Sequence, residues 1–228
     1  MSISPRQYQS GKYGLPMPQR IIGGGPTDPH EYPYQVALTY YDYFFCGGSL
    51  ITRQHVLTAA HCTDLMFEFG VGPEFQVLIA EHDLGTENDC AYSVGVQEII
   101  QHPGYNASSF DMDFSIIVLE ERVSCSAFVS PVCLPEDEDP PELYENVRAV
   151  AIGWGTTNAT SGEMPDLLQH VGVETYKNED CGQYEFDWIT DNMICAGSDG
   201  KDSCYGDSGG PLLGKKLCFN IDAFFYIV

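Results

Sequence analysis

From Tyr34 onward the chain reads as short runs in which β-branched and aromatic residues alternate with polar ones. Alternation with a period of two puts apolar side chains on one face of an extended segment, so these runs predict half-buried strands. In the first half they cover residues 34–40, 47–52, 55–59, 74–80, 92–102 and 114–120. In the second half they cover 148–154, 167–176 and 192–197, with another beginning at 209–213. Turn sequences such as Gly70-Val71-Gly72-Pro73 and His102-Pro103-Gly104 separate them. No long segment has a clear helical period. The expectation is an all-β protein of the sandwich or barrel kind. Residues 1–20 are polar, are interrupted by Pro5, Pro16 and Pro18, and read as an unstructured leader.

With 228 residues, 43% of them hydrophobic, the chain can fill one large or two small domains. Its formal net charge is −23. That argues against nucleic acid as a partner, because phosphate binding relies on basic side chains. The charge serves solubility first, and long-range steering of basic substrates is the alternative. No apolar run is long enough to span a membrane. The run Glu136-Asp137-Glu138-Asp139, followed by Pro140-Pro141, reads as an exposed segment between two halves. Nine cysteines without a C-x-x-C pair argue for disulfides over zinc, and so for an oxidising, extracellular setting. The sequons Asn106-Ala107-Ser108 and Asn158-Ala159-Thr160 fit a secreted glycoprotein. Residues 1–20 hold no apolar signal core, so a secretion signal is expected upstream of them.

The chemistry centres on Cys204-Tyr205-Gly206-Asp207-Ser208-Gly209-Gly210-Pro211. Glycines there permit a tight turn and close approach to a substrate. The N–H groups of Gly206 and Ser208 can converge on a developing oxyanion. Ser208 is thus a candidate nucleophile, and it needs a base and an orienting group. His30, His55, His82, His102 and His170 stand in unremarkable contexts. His61 closes Val56-Leu57-Thr58-Ala59-Ala60-His61-Cys62, where small neighbours leave room for a ring and a partner. Asp113 opens an apolar run that reads as a buried strand and can supply the carboxylate.

These residues stand in the order His61, Asp113, Ser208. With them come Ile21-Ile22-Gly23-Gly24, Asp111-Met112-Asp113-Phe114, Gly153-Trp154-Gly155, Met193-Ile194-Cys195-Ala196-Gly197 and residues 201–211. In these motifs, in this order, the chain resembles a trypsin-like member of the chymotrypsin family of serine proteases. The resemblance implies two antiparallel six-stranded β-barrels with the active site between them. It implies catalysis by Ser208, His61 and Asp113, with an oxyanion hole from the amides of Gly206 and Ser208. It implies a zymogen cut at Arg20–Ile21, whose new α-ammonium pairs with Asp207. Asp202, six residues before Ser208, would form the floor of a pocket for Lys or Arg. The implied partners are protein or peptide substrates, an activating protease and protein inhibitors, with no cofactor. A non-catalytic homologue acting by protein binding is the alternative.

The implied disulfides are Cys46–Cys62 and Cys181–Cys195. Cys204 and Cys133 would pair with cysteines not seen in the matching part of the chain, Cys218 being a poor substitute for the first. Cys90 and Cys125 form an extra bridge by spacing alone. The acidic residues Glu81, Asp83, Glu87 and Asp89 lie where relatives carry a calcium loop, but their spacing favours solvated carboxylates and no metal. The resemblance ends at Leu213. It therefore implies a leader over 1–20, a peptidase domain over 21–213 with an incomplete second barrel, and a non-family tail over 214–228. Gly214-Lys215 can be encoded by GGTAAG, which contains a splice-donor sequence, so the tail reads as a retained intron, with a short isoform as the alternative.

Overall fold

The computed structural model describes residues 24–86, 90–135, 141–157, 164–181, 189–198 and 206–214. The first half forms strands β1 (Gly25–Pro26), β2 (Gln35–Tyr40), β3 (Tyr43–Leu50) and β4 (His55–Thr58), then helix α1 (Ala60–Phe69). It continues with β5 (Phe75–Ile79), β6 (Tyr92–Gln101) and β7 (Ser115–Leu119). Strands β2 to β7 close into an antiparallel barrel in the order β2-β3-β4-β7-β6-β5. The six runs expected in the first half are the six staves of this barrel.

Alternation organises β5 and β7, where every second residue is buried. Phe75, Leu38, Leu50, Ile79, Ile117 and Leu119 are fully enclosed. Burial of each such side chain stabilises the fold by about 1.5–3 kcal/mol. Strand β3 starts four residues before the expected 47. The cause is a tight hairpin: Tyr41 and Asp42 take φ of 49° and 65°, and Tyr43 pairs with Tyr40. Two consecutive left-handed residues match the twist of paired strands.

The second half holds β8 (Arg148–Gly153), β9 (Gln169–Tyr176), the short helix α2 (Asn178–Cys181), β10 (Cys195–Gly197) and β11 (Leu212–Gly214). Its sheet runs β1-β9-β8-β11, with β10 also on β9, and does not close among the described residues. Trp154, Ile152, Leu168 and Leu213 from this half share one core with the barrel. The Trp154 ring meets Phe44 edge-on at 5.7 Å, and its Nε1–H donates to His82 O at 3.3 Å.

Helix α1 was not expected from the sequence. Cys62 and Met66 line its buried side, but Leu65 and Phe67 lie outside at 63% and 61% exposure. Apolar residues on both sides erase the 3.6-residue period that would announce an amphipathic helix. No helix among the described residues is long and apolar enough to cross a membrane.

Candidate active site

Thr58, the last residue of β4, pairs with Ser115, the first of β7. Antiparallel pairing sets the residues just after β4 beside those just before β7. His61 in the first turn of α1 therefore meets Asp113, 52 positions away in the chain. Asp113 Oδ2 accepts the His61 Nδ1–H at 2.6 Å, and Oδ1 accepts the His61 backbone N–H at 2.8 Å. One carboxylate fixes both the ring and the start of the helix. With the proton on Nδ1, Nε2 is left as the basic nitrogen. The His61 and Asp113 side chains are 29% and 17% exposed, so the ring edge reaches solvent more freely than the carboxylate.

The helix start is braced from β6: Gln101 Nε2 donates to Ala60 O at 3.0 Å. Tyr105 donates its hydroxyl proton to Asp64 Oδ2 at 3.3 Å. Burial first, then the charges of Asp113 and Asp64, push the Tyr105 phenol well above its ordinary pKa, which keeps it a neutral donor.

Ser208 reaches the barrel through glycines. Gly47 of β3 donates its N–H to Ser208 O at 2.8 Å, and Thr58 Oγ1 donates to Gly47 O at 2.8 Å. A Cβ on Gly47 would lie 3.0 Å from Gly210 Cα. Gly209 has φ 77°, and a Cβ there would collide with Thr58 Oγ1 and Gly47 O. Side chains at these positions would push the segment of the candidate nucleophile off the strand that leads to His61. Among the described residues no hydrogen bond joins Ser208 Oγ to His61 Nε2, which stands 3.7 Å from Cys62 Sγ.

Asp207 is 3% exposed. Its Oδ1 accepts the Gly155 N–H at 2.8 Å, and a Cβ on Gly153 or Gly155 would strike its carboxylate. This accounts for the Gly153-Trp154-Gly155 motif: the glycines make room for the carboxylate and the tryptophan anchors the turn. Gly206 is buried with φ 97°, a conformation open to glycine.

The trypsin family model matches residues 21–221. The chain belongs to the trypsin family of serine proteases. It is 35% identical over 212 residues to the clotting factor G beta subunit of Tachypleus tridentatus, covering 87% of this chain and 67% of that protein. It is 37% identical over 196 residues to serine protease 1 of Rattus norvegicus, covering 85% of this chain and 74% of that protein. The all-β fold, with its closed barrel and second open sheet, agrees with that membership.

In this trypsin-family protease Cys46 and Cys62 are joined as expected. Cys195 is disulfide-bonded, while the side chain of Cys181 lies outside the described residues. Arg20, Ile21, Asp202, Cys204, Cys218, the sequon at 158–160 and the acidic run at 136–139 also lie outside them. Cys46, His61 and Cys62 cluster within 4.8 Å, but the two sulfurs are bonded to each other and so are not metal ligands. Glu81 corrects the reading of solvated carboxylates. It is only 8% exposed, and its Oε1 accepts the His82 N–H at 2.8 Å. Cys90 and Cys125 stand as separate thiols rather than as the bridge their spacing suggested.

Sequence reasoning missed a contact between the halves. Asp111 Oδ1 accepts the Thr190 hydroxyl proton at 2.6 Å and an Asn192 Nδ2 proton at 3.0 Å. The Thr190 bond first, then that of Asn192, holds the Asp111 carboxyl below its ordinary pKa. Phe110 and Met112, on either side, both take φ 54°. The Phe110 ring then stands edge-on to His61 at 5.7 Å. Asp111 belonged to a recognised motif, but Thr190 is 79 residues away and no local signal links them.

Proposed function

We propose that this chain is a secreted serine endopeptidase, made as a zymogen, that hydrolyses peptide bonds after Lys or Arg. The observation that carries the reading is the two-point grip of Asp113 on His61, with Ser208 held by its own carbonyl against the same barrel. In this reading Ser208 Oγ attacks the peptide carbonyl as His61 Nε2 takes its proton. Asp113 keeps the ring oriented and stabilises the imidazolium, and the amides of Gly206 and Ser208 receive the oxyanion. His61 then protonates the leaving amine. Cutting after Arg20 frees the Ile21 ammonium to pair with Asp207, whose carboxylate is enclosed beside the oxyanion turn. A carboxylate at Asp202 selects a cationic side chain, because a desolvated cation without a partner is costly. The exposed Asn106 sequon takes a glycan, which would show as a mobility shift on glycosidase treatment.

Protein cleaved at Arg20–Ile21 should label at Ser208 with a fluorophosphonate and cleave Arg and Lys reporter peptides at least about 10²-fold faster than Phe or Leu ones. Labelling without that preference would remove the role of Asp202. The unmade Ser208–His61 contact favours the second reading, a homologue that binds proteins without cutting them. Absence of labelling in cleaved, folded protein would overturn catalysis and favour that reading, although such contacts often tighten only with substrate bound.

Asp111 is a positioning residue in this scheme. Asp111→Ala should lower kcat by about 10-fold or more with little change in KM, while Asp111→Asn keeps an acceptor oxygen and recovers most of the loss. Its lowered carboxyl pKa means the clamp holds above the ordinary carboxylate range and weakens as pH falls through the native value. Equal kinetics for Asp111→Ala and the parent would show that the clamp does not position the triad.

A further inference from the structure

We propose that the tip of the β2–β3 hairpin is a docking surface for a Lys/Arg-rich segment of another protein. Tyr40, Tyr41 and Tyr43 are 41%, 63% and 79% exposed, so three large aromatic side chains meet solvent within four residues. Contiguous apolar surface of this kind marks a place where a partner lands. Pairing fixes the tip. Tyr40 lies opposite Tyr43 across the hairpin and opposite Phe75 of β5, and the Tyr41 N–H donates to Glu74 O at 2.9 Å. The Tyr40 and Tyr41 rings meet edge-on at 4.8 Å. Tyr41 takes φ 49°, a left-handed conformation that is costly for an aromatic residue, where Asn or Gly would close the same turn at less cost. The sequence accepts that strain and displays a ring at the tip.

Charge decides the occupant. From residue 21 to residue 121, Arg53 is the only Lys or Arg, against fifteen Asp or Glu. Two of those carboxylates, Asp42 at the tip and Glu74 beside it, flank the tyrosines, and neither is ion-paired among the described residues. A cation brought here gains a carboxylate partner and the electron-rich face of a tyrosine ring together. A guanidinium suits both, because it is planar, stacks on aromatic faces and meets a carboxylate through two N–H groups. Tyrosine gives up little rotamer freedom on docking, having only two side-chain torsions.

The same charge turns away the other occupants. An anionic lipid surface is repelled, and so is a second copy of this chain, which carries the same net charge of −23. From the tip, β3 leads to Gly47, whose N–H holds Ser208 O. Four strand residues span about 13 Å, so a basic partner seated at the tip is kept close to the candidate site along β3. The docking surface does not depend on whether that site cuts its partner.

The test is binding of fluorescein-labelled nona-arginine to the full chain, read by fluorescence anisotropy. Every protein in the series, the parent included, carries Ser208→Ala, so that the probe stays intact. Tyr41→Asn combined with Tyr43→Ser removes two exposed rings but keeps Asp42 and Glu74, and Asn suits the left-handed turn. That variant should bind the probe at least about 10-fold more weakly than the parent, with little change in Tm. Asp42→Asn combined with Glu74→Gln should also weaken binding, as should added salt. Tyr92→Ser, which removes a tyrosine 40% exposed on β6, should bind like the parent. No binding by the parent, equal affinity of the hairpin variant and the parent, or an equal loss in Tyr92→Ser would overturn the proposal, the last two by reducing the attraction to net charge alone. Adsorption to phosphatidylserine vesicles, or self-association in sedimentation, that is lost in Tyr41→Asn/Tyr43→Ser would overturn it by giving the tip a different occupant.

Discussion

Ser208→Ala and His61→Ala should each lower kcat by about 10⁵- to 10⁶-fold, and the double variant should lose no more than either alone. A loss of 10⁶ corresponds to about 8 kcal/mol of transition-state stabilisation. In the proposed mechanism the two residues act as one device, because a serine hydroxyl without its base is a weak nucleophile and a base without a nucleophile has nothing to activate. Asp113→Asn should cost about 10⁴-fold. Its amide would still fill the space, but as a donor it would reverse the hydrogen bond to Nδ1 and place the ring proton on Nε2, where it blocks proton uptake. Thermal unfolding of His61→Ala and Ser208→Ala should stay near that of the parent. Additive losses in the double variant, or an Asp113→Asn variant as active as the parent, would dismantle the triad assignment.

Gly209→Ala should destabilise the protein by about 3 kcal/mol or more, which for a chain of this size lowers the Tm by roughly 6–12 °C. Two effects combine. Alanine resists φ 77°, and its Cβ would collide with Thr58 Oγ1 and Gly47 O, which are hydrogen-bonded to each other. Relief requires moving the segment that carries Ser208 away from β3. That shift should cost a further 10²-fold or so in kcat/KM even in the folded fraction. Gly172→Ala is the control: a Cβ there meets nothing within 4 Å, and the stability change should stay within about 1 kcal/mol. If Gly209→Ala matched this control in both melting and activity, the close approach of the two halves would not be what places Ser208.

Period-two alternation made the staves of the closed barrel legible, since burial on one face is written into each strand locally. The candidate site was legible through residue type: small residues around His61, glycines around Ser208, an acid at the head of an apolar strand. Helix α1 was not legible, because Leu65 and Phe67 on its open side masked the period. The buried state of Glu81 was hidden too, since an acidic stretch looks solvated until the fold encloses it.

By itself the sequence determined which segments are strands and which side chains are candidates for the chemistry, for both are properties of neighbours in the chain. Only the tertiary structure decided who meets whom. His61 finds Asp113 because Thr58 pairs with Ser115. Ser208 is seated on β3 because Gly47, Gly209 and Gly210 let two backbones touch. Asp111 reaches Thr190 and Asn192 only once the two halves have packed together. These contacts depend on sheet register and on the packing of one half on the other, and both are set by the whole chain at once.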